Sequence, residues 1–153
     1  MRLLILGGTE FVGRAVAEEA LRRGWHVTLF NRGRKEPPPG VASVYGDRTS
    51  PNDLSALKQH GQDGWDAVID TWKGAPRAVR DAALALEGRA ARYVYISSRS
   101  VYTYPAAPGT AEDGPVVVAS ADAEDVDYAQ AKRGGELAVE AAFGERAVLA
   151  RVG

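Results

Sequence analysis

Short runs of apolar residues alternate along the chain with segments in which apolar residues recur at helical spacing. The apolar runs predict six strands: Leu3–Leu6, His26–Phe30, Val41–Tyr45, Asp66–Asp70, Tyr93–Ser97 and Arg146–Val152. The helical patterns predict four helices: Phe11–Arg23, Ser50 to near Gly61, Pro76–Leu86 and Asp127–Phe143. Gly24 and Gly88 follow the first and third of these helices, and a glycine there is typical of a helix end.

Two longer segments show no periodicity. The segment from Asn31 to Gly40 is polar and holds three consecutive prolines, which predicts a loop. The segment from Ser98 to Val126 also contains three prolines and no clear helix or strand pattern. Since long loops inside compact domains are usually functional or disordered, the second segment is a candidate functional loop.

Continuous apolar strands separated by helices predict a parallel sheet that is covered on both faces. The element order suggests two βαβαβ halves, so we expect a doubly wound α/β domain with strand order 3-2-1-4-5-6, the Rossmann fold. The pattern shows no internal repeat or linker, which favours one domain over residues 1–153.

Composition narrows the classes of partner. The net charge of −1 and the pI of about 6.1 offer no excess of cations for nucleic acid or an anionic membrane. The absence of cysteine excludes disulfides and thiolate metal sites, and the two histidines, His26 and His60, lie far apart in the sequence, which argues against zinc. No apolar run reaches membrane-spanning length, so we expect a cytoplasmic protein without a membrane partner.

Between the first strand and the first helix lies the sequence Gly-Gly-Thr-Glu-Phe-Val-Gly. At this place, backbone N–H groups and the helix dipole can hold a pyrophosphate. Gly7 allows the tight turn, and Gly13 lets the helix approach the sheet closely. The alternative is a plain strand-to-helix turn. The predicted cofactor contacts in this turn are Gly7, Thr9, Glu10, Phe11, Val12 and Gly13.

Gly-Gly-Thr-x-Phe-x-Gly, followed by Val-Thr-Leu-Phe-Asn-Arg-Gly, resembles the extended and atypical short-chain dehydrogenase/reductases, in particular their NAD-dependent epimerase/dehydratase branch. The resemblance covers the whole chain and implies a nicotinamide dinucleotide. Glu10 departs from the family, which often has glycine there. Because a carboxylate beside a pyrophosphate is electrostatically unfavourable, we expect the Glu10 side chain to point to solvent.

The end of the second strand bears on the choice of cofactor. An acidic residue there would bind the ribose 2′-OH of NAD, but this chain has Asn31, followed by Arg32 and Arg34. Arginine offers a planar fork for a 2′-phosphate, so we predict NADP, with NAD as the second choice. The alternative is a solvated basic loop.

Asp47 and Arg48 end the third predicted strand. In the resembling family an aspartate at this place accepts a hydrogen bond from the adenine amino group. By this resemblance Asp47 and its neighbour Arg48 are candidate cofactor contacts. A turn residue that caps the following segment is an equally good interpretation of Asp47.

Ser-Ser-Arg-Ser-Val-Tyr after the fifth strand resembles the family stretch in which the serine three before the valine is catalytic, which corresponds to Ser98. Tyr128 and Lys132 are four apart at the start of a helix and so face the same side. A nearby ammonium favours the phenolate of a tyrosine. By the resemblance and by this chemistry, we predict Tyr128 as general acid/base, Lys132 as its activator and as ligand of the nicotinamide ribose, and Ser98 as the group that polarises the substrate.

At Arg151-Val152-Gly153 the resembling family has Arg-Pro-Gly, followed by a further segment that completes the sheet and builds the substrate lobe. We expect this C-terminal lobe to be absent here, and an open sheet edge favours self-association into a homo-oligomer. Two functions therefore stay open: an NAD(P)-dependent reductase or epimerase/dehydratase acting on a small molecule, and a non-catalytic NAD(P)-binding sensor or interaction module. The Ser98, Tyr128 and Lys132 set favours the enzyme.

Overall fold

Strands and helices alternate in the computed structural model, which describes residues 1–60, 63–105 and 108–153. The strands are β1 (Arg2–Leu6), β2 (His26–Asn31), β3 (Ala42–Tyr45), β4 (Ala67–Asp70), β5 (Tyr93–Ser98) and β6 (Ala147–Val152). The helices are α1 (Phe11–Arg22), α2 (Pro51–Gln59), α3 (Pro76–Leu86) and α4 (Tyr128–Phe143). The predicted end of the second helix near Gly61 lies outside the described residues, and every other bound lies within one residue of its prediction.

The six strands form one parallel sheet in the order β3-β2-β1-β4-β5-β6. This confirms the predicted doubly wound α/β fold with Rossmann topology. The predicted loop of Asn31–Gly40 is confirmed, because β2 and β3 are joined by residues 32–41 without a helix, so the first half lacks one helix of a full βαβαβ unit. Pro37, Pro38 and Pro39 explain the absence of a helix in these described residues, since proline lacks the N–H that a helix interior needs.

The hydrophobic core lies on both faces of the sheet. On one face, Tyr93 and Tyr95 of β5 pack against residues from α2, α3 and α4. On the other face, Leu3 and Ile5 of β1 pack against α1. Val148 of β6, on the α1 side of the sheet, is 42% exposed. The homo-oligomer expected from the open sheet edge stays a prediction.

The long segment after β5 is tied to the rest of the domain wherever the structure describes it. Its backbone makes two cross-connections, from Thr103 N to Pro115 O (2.9 Å) and from Val117 N to Val101 O (2.8 Å). Ion pairs with α3 join Arg77 to Glu124 and Arg80 to Asp122. These contacts hold the segment against the carboxyl edge of the sheet, where β5 ends.

None of the helices in the described part of the chain has the length and apolar character needed to cross a membrane. In the same residues, no group of three or more His, Cys, Asp or Glu side chains is arranged to hold a metal ion.

Candidate functional site

Most of the predicted site residues collect at the carboxyl edge of the sheet. The glycine turn follows β1, Asn31 ends β2, Asp47 follows β3, Ser98 ends β5, and Tyr128 begins α4. In open α/β sheets this edge is where ligands bind, at the point where the strand order reverses. Here the reversal lies between β1 and β4.

The glycine turn is built for close approach. Gly7 has φ of +114°, and its N–H donates to the carbonyl of Phe30 at 2.9 Å. A Cβ added to Gly13 would lie 2.8 Å from backbone atoms of Gly8, so a side chain at residue 13 would collide with the turn. The turn is therefore compact because both positions lack side chains.

The start of α1 leaves a surface for a ligand. Glu10, the N-cap residue, makes no side-chain cap hydrogen bond. The first N–H groups of the helix therefore lack the capping partner that Ser, Thr or Asp would supply, which suits an anion. Phe11 is 89% exposed and has φ of +39°, a conformation rare outside glycine and common at ligand sites. Val12 is also exposed and Thr9 is half-buried.

The Glu10 side chain is exposed and forms an ion pair with Lys35 of the loop after β2. The hydrogen bond and the positive charge of Lys35 hold the pKa of Glu10 below its usual value. The carboxylate that departs from the family pattern is thus neutralised by a neighbouring cation rather than directed at the turn.

At the end of β2, the Asn31 carbonyl oxygen Oδ1 accepts a hydrogen bond from Gly33 N at 2.7 Å. The buried Nδ2 of Asn31 has no partner among the described residues. Since Nδ2 can only donate, it suits a hydroxyl or phosphate oxygen. Arg32 and Arg34 follow with exposed side chains.

Asp47 closes a turn after β3. Its Oδ1 accepts from Thr49 N at 2.9 Å and from Thr49 Oγ1 at 2.7 Å. These bonds, with the positive charges of Arg32 and Arg34, hold the pKa of Asp47 below its usual value. The capping interpretation of Asp47 describes this geometry, and its contact with adenine stays a prediction.

The side chain of Arg48 lies in the core beside Asp70, the last residue of β4, and its contact with the cofactor stays a prediction. Its guanidinium is buried and donates to both carboxylate oxygens of Asp70, at 2.5 and 2.8 Å, and to the carbonyl of Ala78 at 3.1 Å. Tyr93 also donates to Asp70, at 2.7 Å. Burial opposes the charge of Asp70, but Arg48 and the hydrogen bonds keep the pKa of this carboxyl below its usual value. Arg48 therefore neutralises a core carboxylate.

Lys132 lies under the carboxyl edge between β4 and β5. Its side chain is 3% exposed, and Nζ donates to the carbonyl oxygens of Trp72 (2.5 Å) and Ile96 (2.7 Å). Nζ is 6.0 Å from the centre of the Tyr128 ring. Burial lowers the pKa of Lys132 to about 8. An ammonium has three donors, so one remains for a ligand.

Tyr128 and Ser98 carry the other two side chains that were predicted to be catalytic. Tyr128 is 49% exposed and is the first residue of α4, whose N-cap Asp127 accepts from Gln130 N at 2.8 Å. Ser98 is 8% exposed, and its hydroxyl lies 3.2 Å from both the Ser100 hydroxyl and the Ser100 N–H. The hydroxyl of Ser98 is thereby held at the end of β5.

A buried carboxylate that the sequence did not predict connects the elements that carry Ser98 and Tyr128. Glu136 of α4 accepts from Ser97 Oγ (2.7 Å), from Arg133 (2.8 Å) and from two nitrogens of Arg151 (2.8 and 2.9 Å). Arg151 in turn donates to the Tyr102 hydroxyl at 2.9 Å. The cluster joins α4, the end of β5, β6 and the functional loop.

A signal for this residue exists in the sequence. Glu136 follows Tyr128 and Lys132 at successive intervals of four, so all three lie on one face of α4. A charged residue that continues a functional stripe on a helix otherwise facing the core is a candidate for burial.

The family of the chain follows from a comparison with protein-family models. Residues 3–152 match the model of the NAD dependent epimerase/dehydratase family. The chain belongs to this family. No curated protein matches the sequence significantly.

Solved structures similar to this family member share its fold at low sequence identity. WbmG of Bordetella bronchiseptica, solved with NAD, superposes with a TM-score of 0.74 at 19% identity, over 93% of this chain and 50% of WbmG. WbmG has also been solved with NAD and UDP. The UDP-glucose 4-epimerase of Thermus thermophilus, solved with NAD, gives a TM-score of 0.75 at 18% identity, over 97% of this chain and 54% of the epimerase.

A short-chain dehydrogenase/reductase superfamily protein from Agrobacterium tumefaciens, solved with bound NAD, gives a TM-score of 0.75 at 23% identity. The match covers 97% of this chain and 48% of that protein. The chain thus spans about half the length of the solved structures it matches.

Proposed function

We propose that this domain binds a nicotinamide dinucleotide at the carboxyl edge of its sheet and takes part in oxidation and reduction of a small-molecule substrate. The observation that carries the proposal is the placement of Lys132. Its buried ammonium lies between two strand ends, one helical turn from the exposed Tyr128. Because desolvating an ammonium group costs free energy, buried lysines occur mainly at functional sites that require the positive charge.

The residues at this edge fit such a cofactor. In the glycine turn, the backbone of Gly8 lies so close to Gly13 of α1 that a Cβ at residue 13 would fill the space between them. The uncapped start of α1 offers N–H donors to a diphosphate. Phe11 and Val12 offer apolar surface beside this turn, and the third donor of Lys132 suits a ribose hydroxyl. The cofactor, when bound, would accept or donate the hydride.

The dinucleotide is NADP in this proposal, with NAD as the second choice. Arg32 and Arg34 are exposed after β2, and the unpartnered Nδ2 of Asn31 lies beside them. Two of these three side chains are cations, and positive charge favours an anionic 2′-phosphate over a neutral 2′-hydroxyl.

The catalytic roles follow from the chemistry of three side chains. Tyr128 exchanges a proton with the substrate oxygen, since its hydroxyl group belongs to a half-exposed side chain at the site. The ammonium of Lys132, 6.0 Å from the centre of the Tyr128 ring, supplies positive charge beside this tyrosine. Ser98 donates to the substrate oxygen and stabilises the charge that develops on it. We expect the substrate to carry a secondary alcohol or a carbonyl, and the UDP seen in WbmG makes nucleotide sugars the first class to test.

The test is turnover by the wild type, Tyr128→Phe and a matched control, Tyr104→Phe, whose side chain is also exposed. A panel of nucleotide sugars is incubated with NADP or NAD, and cofactor reduction and sugar products are followed. We expect Tyr128→Phe to lower kcat at least about hundredfold while cofactor affinity stays within about twofold. Unchanged kcat would refute the assignment of Tyr128, and cofactor binding without turnover of any substrate would favour the non-catalytic module.

A further inference from the structure

The connection between β4 and α3 lies between the glycine turn and Lys132. Its first residue, Thr71, touches the turn, because a Cβ added to Gly7 would lie 2.5 Å from Thr71 Oγ1. The carbonyl of the next residue, Trp72, accepts the hydrogen bond from Lys132. Lys73 comes directly after these two contacts, and its side chain is exposed. The backbone therefore places an exposed cation near both the turn and the buried lysine.

The backbone that carries Lys73 is firmly held. Trp72 N donates to Asp70 Oδ1 at 2.9 Å, and its carbonyl accepts a second bond, from the Tyr95 hydroxyl, at 3.1 Å. The Trp72 indole donates to the carbonyl of Ala75 at 3.0 Å. A ligand that contacts Lys73 would thus order only the lysine side chain, not the backbone, which lowers the entropic cost of binding.

No carboxylate among the described residues neutralises the positive charge that Lys73 brings to the connection between β4 and α3. Among the described residues, none forms an ion pair with Lys73, and the nearby Glu10 is already paired with Lys35. The pKa of Lys132 is lowered chiefly by burial and in addition by the charge of Lys73. The pKa of Glu10, lowered chiefly by Lys35, also responds to Lys73. The field of Lys73 therefore reaches both the turn and the buried lysine, and an anion between them would relieve the repulsion of the two ammonium groups.

We propose that Lys73 is a ligand for the diphosphate of the dinucleotide, at the phosphate next to the nicotinamide ribose. This inference rests on the proposed function. The glycine turn would hold the diphosphate and Lys132 the ribose, so a mobile cation near both can reach the phosphate that joins them. Lysine binds phosphate as a mobile point charge, which suits an exposed position.

The experiment compares the affinities of wild type, Lys73→Met and Lys73→Arg for NADPH, ADP and AMP by calorimetric titration. The β-phosphate of ADP corresponds to the phosphate next to the nicotinamide ribose, and AMP lacks it. We expect Lys73→Met to bind NADPH and ADP about tenfold more weakly and AMP within about twofold of wild type, because only the first two lose a charge-assisted hydrogen bond. Lys73→Arg should keep most of the affinity.

Arg23→Met is the matched control, since Arg23 is an exposed cation at the other end of α1 and should leave all three affinities unchanged. Equal NADPH affinity of Lys73→Met and wild type would overturn the proposal. An equal loss for AMP would also overturn it, because it would indicate a general effect of charge. If wild type binds none of NADPH, ADP and AMP, the proposed function fails and the role of Lys73 fails with it.

Discussion

The buried ammonium of Lys132 predicts a specific dependence of stability on pH. Its pKa falls from 10.5 to about 8 on folding, mainly through burial. Between these values the unfolded chain binds more protons than the folded one, so the free energy of unfolding rises with pH. The cost of burying the charged Lys132 is fully present below pH 8 and disappears as the pH approaches 10.5, the pKa of this lysine in the unfolded chain.

The size of the effect follows from the two pKa values. The full difference between the folded and unfolded pKa of Lys132 corresponds to about 3 kcal/mol in the free energy of unfolding. Proton linkage gives an increase of about 1.3 kcal/mol in this free energy between pH 7 and pH 9. For a domain of this length, that part corresponds to about 3–5 °C in melting temperature. Lys132→Met lacks the titrating group and should lack this gain.

Urea unfolding of both proteins at pH 7 and pH 9 measures the difference. The comparison uses the change with pH rather than the absolute stability, because the methionine variant both removes the buried charge and leaves the carbonyls of Trp72 and Ile96 without that donor. Lys35→Met, at an exposed lysine, should follow the wild type. Parallel pH dependence of wild type and Lys132→Met would refute the account of Lys132 as a group destabilised by burial.

Two further predictions concern arginines. Arg48→Met leaves the carboxylate of Asp70 buried and unpaired, so the free energy of unfolding should fall by about 3–5 kcal/mol. Arg92→Met, at an exposed arginine, should change it little. Equal stability of the two variants in urea would contradict the core role of Arg48. The double variant Arg32→Gln/Arg34→Gln should lose at least about tenfold in affinity for NADPH and little for NADH. A parallel loss for both cofactors would exclude a 2′-phosphate contact.

The fold was predictable because its signals are local. Each strand is a short apolar run, each helix has its own periodic face, and Gly24 marks the end of α1 at φ of +74°. The glycine turn was predictable for the same reason, since turn, strand and helix are adjacent in sequence. That Tyr128 and Lys132 share one face of α4 follows from helical spacing alone.

The partners of buried charges were not predictable from local pattern. The position of Arg48 after β3 predicts a cofactor contact, and only the path of the chain from β3 to β4 brings its side chain to Asp70. Glu136 similarly finds Ser97 and Arg151 through the packing of α4 on β5 and β6. Such pairings depend on the assembled sheet, whereas sequence reasoning placed each residue by its own element.

The most direct test of the central claim is the melting temperature of the purified chain with NADPH, with NADH and without ligand. A ligand at about 100 times its dissociation constant stabilises by about 2.7 kcal/mol, or about 5–10 °C here. Gly13→Ala, whose Cβ would lie 2.8 Å from the Gly8 backbone, should show a much smaller shift. A shift for wild type that is larger with NADPH than with NADH is the predicted result; no shift with either cofactor would contradict the assignment of this edge as a dinucleotide site.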